Sequence, residues 1–316
     1  MSKLMSMHSL IRLFGCSMIV LFASFCTGNE NQNAGTSGNG EEKTVVHDVF
    51  SPGKKLGMLK SKKLEEVSGL AASISNPGML WTLNDSNNPA EVYLIDQETN
   101  IRMTCKLEGV ENRDWEEIAV GPGPETGKQY VYVGDIGDNL AAHEHKFIYR
   151  FEEPVLKKGK EKVNISHVDV IRFSLSDERR DAEAFFVDPR TRDIYIISKW
   201  KSPVDLYRLK YSSSTESTEV AQRIGTLPLS TVVASSFNID GSELLVKNYK
   251  GVFYFKRQGD MSVAAMLKQP PIQLPYEKEP QGEAIAWSAT GDGYYTLSEK
   301  KKDHDIHLMF YERIAK

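Results

Sequence analysis

The sequence predicts an all-β protein built from a repeated unit, and three observations lead to this prediction. A six-residue pattern, led by Ser or Glu and closed by a turn residue, occurs five times. Two further short apolar stretches follow each copy, with turn residues such as Asp240 and Gly241 between them. The copies are 48, 67, 52 and 48 residues apart, and periods near 50 with short strands are typical of propeller blades. We therefore predict a five-bladed β-propeller.

Each unit supplies the strands of one blade. In the first unit, the pattern that starts at Ser68 is the first strand, Met79 to Leu83 the second and Glu91 to Ile95 the third. The last unit stops at Lys316 without a fourth strand, and Lys54 to Lys60 is available to fill that place. We expect this N-terminal strand to close the ring, because closure removes exposed sheet edges. Six blades remain an alternative, since the 67-residue unit has room for another hairpin.

The first 26 residues are typical of an export signal. Lys3 and Arg12 precede an apolar run, Leu13 to Phe25, that is too short to span a bilayer, and Cys26 ends it. This pattern is typical of a lipoprotein signal, so we predict a lipid anchor on Cys26 and a place in the cell envelope, at the outer membrane or on the periplasmic side. A plain cleaved signal with an incidental cysteine is the alternative. Residues 27–44 are predicted to be a flexible linker, and residues 45–316 the propeller domain.

Charge and cysteine content exclude some classes of function. The net charge is −4, and without a basic excess we expect no nucleic-acid partner. Only Cys105 follows the linker, so the domain has no intramolecular disulfide. We expect a monomer.

The five leading residues predict a metal site. The innermost strand of every blade runs along the central channel, so equivalent positions lie on one ring about the axis. Three carboxylates on such a ring repel one another unless some are protonated or a hard cation binds. Oxygen ligands favour Ca²⁺ over zinc or copper. We predict Ca²⁺ as the cofactor; the alternatives are that the glutamates brace neighbouring strands or that one or two copies are misaligned. The predicted ligands are Ser68, Glu116, Glu183, Ser235 and Glu283.

The order Ser, Glu, Glu, Ser, Glu on five blades resembles the calcium-activated apyrases, secreted nucleotidases that hydrolyse nucleoside di- and triphosphates. The resemblance covers most of Glu65 to Glu299 and is strongest in Glu116 to Val120 and in Ser235 to Phe237. It implies one Ca²⁺ in the channel, held at the five leading positions. The segment Glu183 to Asp188 is also similar to phytase-like calcium propellers.

The loops after the second strands are expected to share one face. Asp85, Asp135 and Asp138 are candidates to position a second metal or an attacking water, and Lys199 and Lys247 to bind a phosphate. The arginines that the apyrase pattern places near the phosphates are missing, because Ser86 follows Asp85 and Trp200 follows Lys199.

Two functions therefore remain open. One is an exported calcium-dependent hydrolase of phosphoesters or phosphoanhydrides, acting on a small phosphorylated molecule such as a nucleotide. The other is a noncatalytic surface or periplasmic propeller with structural calcium, whose partner is a protein or a glycan. The lipid on Cys26 would attach either one to the membrane.

Overall fold

The strands of the protein form five antiparallel meanders in a computed structural model, which describes residues 49–159, 161–211 and 215–314. The strands are rich in β-branched and aromatic residues and are mostly buried, which favours β-structure over helix. All described residues lie within the predicted domain, residues 45–316. The predicted signal (residues 1–26, with Cys26) and linker (residues 27–44) lie outside the described residues.

The first two meanders take up the N-terminal half of the domain. The strand β1 (Lys54–Met58) precedes them. The first meander consists of β2 (Val67–Ala72), β3 (Leu80–Asn84), β4 (Glu91–Ile95) and β5 (Ile101–Leu107). The second consists of β6 (Trp115–Pro122), β7 (Gln129–Asp135), β8 (Lys146–Glu152) and, after β9 (Lys162–Ile165), β10 (Asp169–Leu175).

The other three meanders follow in chain order. The third consists of β11 (Ala182–Val187), β12 (Ile194–Ser198), β13 (Val204–Leu209) and β14 (Glu219–Leu227). The fourth consists of β15 (Val232–Phe237), β16 (Glu243–Asn248), β17 (Gly251–Lys256) and, after the short helix α1 (Val263–Met266), β18 (Ile272–Leu274). The fifth begins with β19 (Gly282–Trp287), β20 (Gly293–Ser298) and β21 (His307–Glu312).

The N-terminal strand completes the fifth meander, as the sequence predicts. β1 pairs antiparallel with β21, and Lys54 lies opposite Phe310. An isolated bridge between Phe50 and Arg313 extends the contact. The edge of β21 that would otherwise be free is therefore covered by the start of the domain.

The extra length of the 67-residue unit does not form another meander. Its additional strand, β9, pairs in parallel with β5 and so adds a fifth strand to the sheet of the first meander. At the outer edges of the second and third meanders, β10 pairs in parallel with β14 from Phe173 to Leu175, which joins these two meanders into one eight-stranded sheet.

The first strands of the meanders lie next to one another in a closed cycle. These inner strands are β2, β6, β11, β15 and β19, and each contacts the one before and the one after it, with β19 returning to β2. Five buried apolar clusters fill the spaces between neighbouring meanders, one for each interface. The core is thus distributed around the cycle, and the inner strands face its centre.

No helix among residues 49–159, 161–211 and 215–314 is long and apolar enough to cross a bilayer.

Candidate metal site

Every inner strand contains a shift in its register against the second strand of its meander. The shift occurs at the second residue of the inner strand. In β6 the shift lies between Trp115 and Glu117, so Glu116 stands in a β-bulge. The other four inner strands shift at the equivalent place. A bulge re-aims the side chain that it carries and is common next to functional sites. The five residues at the bulges are Ser68, Glu116, Glu183, Val233 and Glu283.

Four of the five predicted ring residues thus occupy equivalent positions, and Ser235 does not. In β15 the bulge holds Val233, and Ser235 lies two residues further along. The sequence alignment matched Asp240 to the turn residues of the other units. In the structure, however, the N–H of Asn238 donates across the turn to the carbonyl oxygen of Glu243. The equivalent hydrogen bonds in three other units are donated by Ser73, Asp188 and Ser288. The fourth unit therefore starts two residues earlier than predicted, and this part of the alignment was wrong.

Three carboxylates come together at the start of β6. One ligand oxygen each of Asp85, Asp114 and Glu116 lies within 4.8 Å of the others. Asp85 is the residue that follows β3, so it comes from the neighbouring meander. Asp114 was not among the predicted ligands; it is the residue directly before β6 and stands two positions before Glu116. Asp181 has the same place before β11, two positions before Glu183.

Burial raises the pKa values of these three carboxylates, and the charges of nearby carboxylates raise them further. Burial raises the pKa of Glu116 well above its usual range, and the charges of Asp85 and Asp114 raise it further. Burial, with Asp85, Asp181 and Asp135 nearby, raises the pKa of Asp114 to about 6. The pKa of Asp85 is raised too, first by burial and then by Glu283. These groups repel one another, so a bound cation would stabilise their ionised forms.

Two further glutamates extend the cluster along the cycle. Glu283 accepts a hydrogen bond from the Tyr249 hydroxyl and lies 3.4 Å from the side-chain nitrogen of Gln281. Burial raises the pKa of Glu299 to about 7, although Lys301 lies 2.9 Å away and lowers it; Glu283 adds to the rise. We call the whole group the acidic mouth: Asp85, Asp114, Glu116, Asp181, Glu183, Glu283 and Glu299.

Lys199 is the cation that reaches into the acidic mouth. Its ammonium group forms an ion pair with Glu183 Oε1, and its charge lowers the pKa of Glu116. The other oxygen, Glu183 Oε2, is buried and has no hydrogen-bond partner, while the residue is only 4% exposed. A buried acceptor without a hydrogen-bond partner is unfavourable. Glu183 Oε2 is therefore available to bind a cation or to accept a hydrogen bond from a water.

Gly137 provides the space beside the three carboxylates. A methyl group on its Cα would overlap the side-chain oxygens of both Asp114 and Glu116. The N–H of Gly137 also donates to the carbonyl oxygen of Asp114 at 3.2 Å, which fixes this loop against the start of β6. The cluster therefore depends on a residue without a side chain.

The residues predicted to be catalytic are separated by the fold. Asp85 belongs to the acidic mouth and Lys199 faces Glu183, as described. Asp135 is buried behind the mouth and forms an ion pair of 2.9 Å with Arg113. Asp138 accepts hydrogen bonds from the N–H groups of Ala142 and His143 and so holds its own loop.

Lys247, which was predicted to bind a phosphate, points from β16 to the start of β19. It is completely buried, contacts the carbonyl oxygen of Gly282 and lies 3.9 Å from Glu279. Burial lowers the pKa of Lys247 to about 8. Lys247 therefore connects the fourth meander to the fifth.

The donor set of the acidic mouth consists of oxygen atoms, which suits a hard cation. Asp85, Asp114 and Glu116 are close enough to share one ion, and on the neighbouring inner strand Glu183 Oε2 is a buried acceptor without a hydrogen-bond partner. Neither histidine nor cysteine belongs to the cluster, so the ligands fit Ca²⁺ better than zinc or copper.

Comparison with known proteins adds little to this description. No family model matches the sequence, and no curated protein matches it. A solved structure of luciferin-regenerating enzyme is similar to 84% of this chain and 96% of its own, with a TM-score of 0.46 and 10% sequence identity.

Proposed function

We propose that this protein is an exported five-bladed β-propeller that binds Ca²⁺ at the acidic mouth of its central channel. Five blades are supported by the five meanders, by the closed cycle of inner strands and by an apolar cluster in each of five interfaces. In this arrangement the bulge residues line one end of the channel. The envelope location and the lipid anchor on Cys26 are part of the proposal and follow from the N-terminal sequence.

The observation that supports calcium binding most directly is the three-carboxylate cluster beside an unused acceptor. Asp85, Asp114 and Glu116 present ligand oxygens to one small volume, and Glu183 Oε2 has no partner. Mg²⁺ requires nearly octahedral geometry and keeps most of its water, whereas Ca²⁺ accepts six to eight oxygens in flexible arrangements. Outside the cell, calcium is abundant enough for a site of modest affinity to be filled.

The test is calcium titration of the purified protein by calorimetry, with thermal unfolding in Ca²⁺ and in EDTA. A ligand that binds only the folded state at about 100 times its Kd stabilises by ~2.7 kcal/mol. For a domain of this size that corresponds to a rise in Tm of about 5–10 °C. Glu116→Gln should abolish the rise, whereas Glu108→Gln, an exposed substitution, should keep it. A wild-type protein with the same Tm in both solutions would contradict the proposal.

Hydrolysis of phosphoesters or phosphoanhydrides is the second candidate, favoured by the exposure of two ligands. Asp85 and Asp114 are only partly buried, so water and substrate can reach a cation held there. The phosphate-binding cations are engaged elsewhere, however, since Lys199 is paired with Glu183 and Lys247 is buried. The geometry therefore favours the noncatalytic propeller with structural calcium.

Phosphate release from ADP, GDP and UDP, measured with Ca²⁺ and with EDTA, separates the two candidates. Calcium-dependent release that Glu116→Gln abolishes would establish the hydrolase. Calcium binding without release would leave a propeller that binds a protein or a glycan.

A further inference from the structure

Glu117 follows Glu116 directly but lies in a different environment. It is completely buried, and both of its carboxylate oxygens accept hydrogen bonds from backbone N–H groups. Oε1 accepts from Ile118 at 3.1 Å, and Oε2 accepts from Ser235 at 2.8 Å. The backbone N–H of Leu70 also faces this carboxylate and lowers its pKa. The N–H groups around Glu117 therefore belong to three different inner strands, β2, β6 and β15.

The three donors occupy the same place in their strands. Leu70, Ile118 and Ser235 each stand two residues after the bulge of their strand. The second strand of a meander bonds to one edge of its inner strand, and the other edge faces the centre of the cycle. The N–H groups on that free edge have no ladder partner of their own. A carboxylate at the centre provides one, because it accepts from several strands at once.

Small residues leave the space that Glu117 fills. The positions equivalent to Glu117 in the other inner strands are held by Gly69, Ala184, Ala234 and Ala284. At Gly69 even a methyl group would come within 3.0 Å of Glu117 Oε1. At this level of the channel, one inner strand therefore has a long side chain and the other four have glycine or alanine. Burial raises the pKa of Glu117 well above its usual range, and the backbone N–H groups of Ser235, Ile118 and Leu70 oppose that rise.

A cavity approaches the same place from the side opposite the acidic mouth. It has a volume of about 200 Å³ and is lined by residues near the ends of all five inner strands, among them Ala72, Val187, Phe237 and Trp287. Ile118 and Ser235, whose N–H groups hold Glu117, also line it. Ser235 is buried and its Oγ has no hydrogen-bond partner, so one polar atom remains available in the cavity wall.

We infer that the centre of the inner-strand cycle is a carboxylate-binding site, which the protein fills with its own Glu117. Small carboxylates are the ligand class that the site recognises, and the cavity is their path of entry. The inference does not depend on calcium at the acidic mouth. The N–H groups of β2, β6 and β15 should therefore still form a carboxylate-binding site after the Glu117 side chain has been removed.

The test removes the Glu117 carboxylate and supplies another. Glu117→Ala places at this position the residue that three other inner strands already have, so it introduces no steric conflict. In EDTA, we expect its Tm to fall by about 5–10 °C. Formate at about 0.1 M should restore at least half of this loss by binding the folded state. Formate should change the Tm of the wild type and of the exposed variant Glu108→Ala equally and only slightly.

Formamide distinguishes a carboxylate site from an ordinary void. It is nearly the same size as formate, but it has one acceptor oxygen and no charge, so it should restore little of the lost Tm. Equal rescue by formate and formamide, or no rescue by either, would overturn the inference. Glu117→Gln is a second variant that needs no added ligand. Its amide nitrogen would face N–H donors, and we expect a lower Tm than that of the wild type; an unchanged Tm would also overturn the inference.

Discussion

Glu116 and Glu117 are neighbours in β6 and both are buried, but one carboxylate faces other acceptors and the other faces hydrogen-bond donors. Glu116 faces Asp85 and Asp114, and its carboxylate receives no hydrogen bond that would satisfy its charge within the described residues. Glu117 faces backbone N–H groups of three strands. The bulge at Glu116 produces this difference, because it turns one side chain towards the end of the channel and the next towards its centre.

The comparison teaches that burial alone does not determine what a carboxylate is for. Where the chain supplies donors, as at Glu117, the group is complete and contributes to packing. Where the chain supplies only other acceptors, as at Glu116, the group lacks a partner that must come from solution. Changes in the acidic mouth should therefore act on calcium binding, with the largest effect at Gly137 and the smallest in the pH dependence of stability.

Gly137→Ala should have the largest effect. The added methyl group would displace the Asp114 and Glu116 carboxylates from each other. We expect calcium affinity to fall by about 10–100-fold, the range found when the support of metal ligands is removed. Gly225→Ala is the matched control, since nothing lies within 4 Å of the added atom there. Calorimetry would measure both affinities, and an unchanged affinity in Gly137→Ala would place the cation elsewhere.

Lys199→Met should strengthen calcium binding. The ammonium group of Lys199 already neutralises part of the acidic mouth through Glu183 and competes with an external cation. Its removal frees both Glu183 oxygens, and we expect about tenfold tighter binding, or ~1.4 kcal/mol. Lys201→Met controls for the loss of charge, because Lys201 is exposed and its nearest carboxylate is Glu178 at 3.9 Å. Weaker calcium binding in Lys199→Met would show that Lys199 supports the site.

The pH dependence of stability should reverse when calcium is added. Asp114 has a folded pKa of about 6 against an ordinary value of 3.8, and Glu299 one of about 7 against 4.5. The folded state therefore binds protons more tightly, so in EDTA these two groups make the protein more stable as the pH falls from about 7 to 5. Calcium binds the ionised carboxylates and should weaken as the pH falls. Thermal unfolding at pH 5, 6 and 7 would measure this, and a calcium-free Tm that rises with pH would contradict the assignment.

Much of the fold could be predicted because it is repeated. The five apolar patterns and their spacing predict five sets of strands, and Lys54 to Lys60 is correctly identified as the strand that completes the last set. The 67-residue unit was the ambiguous place. Its surplus became β9, which pairs with β5 of another meander, and a contact over such a sequence distance leaves no local pattern.

The site was predictable to the extent that it follows the repeat. Ser68, Glu116, Glu183 and Glu283 occupy equivalent bulge positions, and in the sequence a small residue or glutamate follows each of them in the same way. In the fourth unit the small residue is Ala234. Aligning it with the small residues of the other units would have identified Val233, rather than Ser235, as the leading residue.

The ionic partners of the side chains could not be read from the repeat. Lys199 and Lys247 occupy similar places near the ends of second strands, but one points at Glu183 and the other packs against Gly282 and Glu279. Lys199 lies one residue past the end of β12, whereas Lys247 lies one residue before the end of β16, so the two lysines stand two positions apart in the register against their inner strands.

The pairing of β1 with β21 has a consequence for how the chain is completed during synthesis. The two strands are the first and the last among the residues that the structure describes, so the fifth sheet stays open until β21 has been synthesised. Until then Leu56, Leu59 and Leu64 lack those neighbours in their apolar cluster that belong to the fifth meander. The fifth sheet is thus the last one that the growing chain can complete.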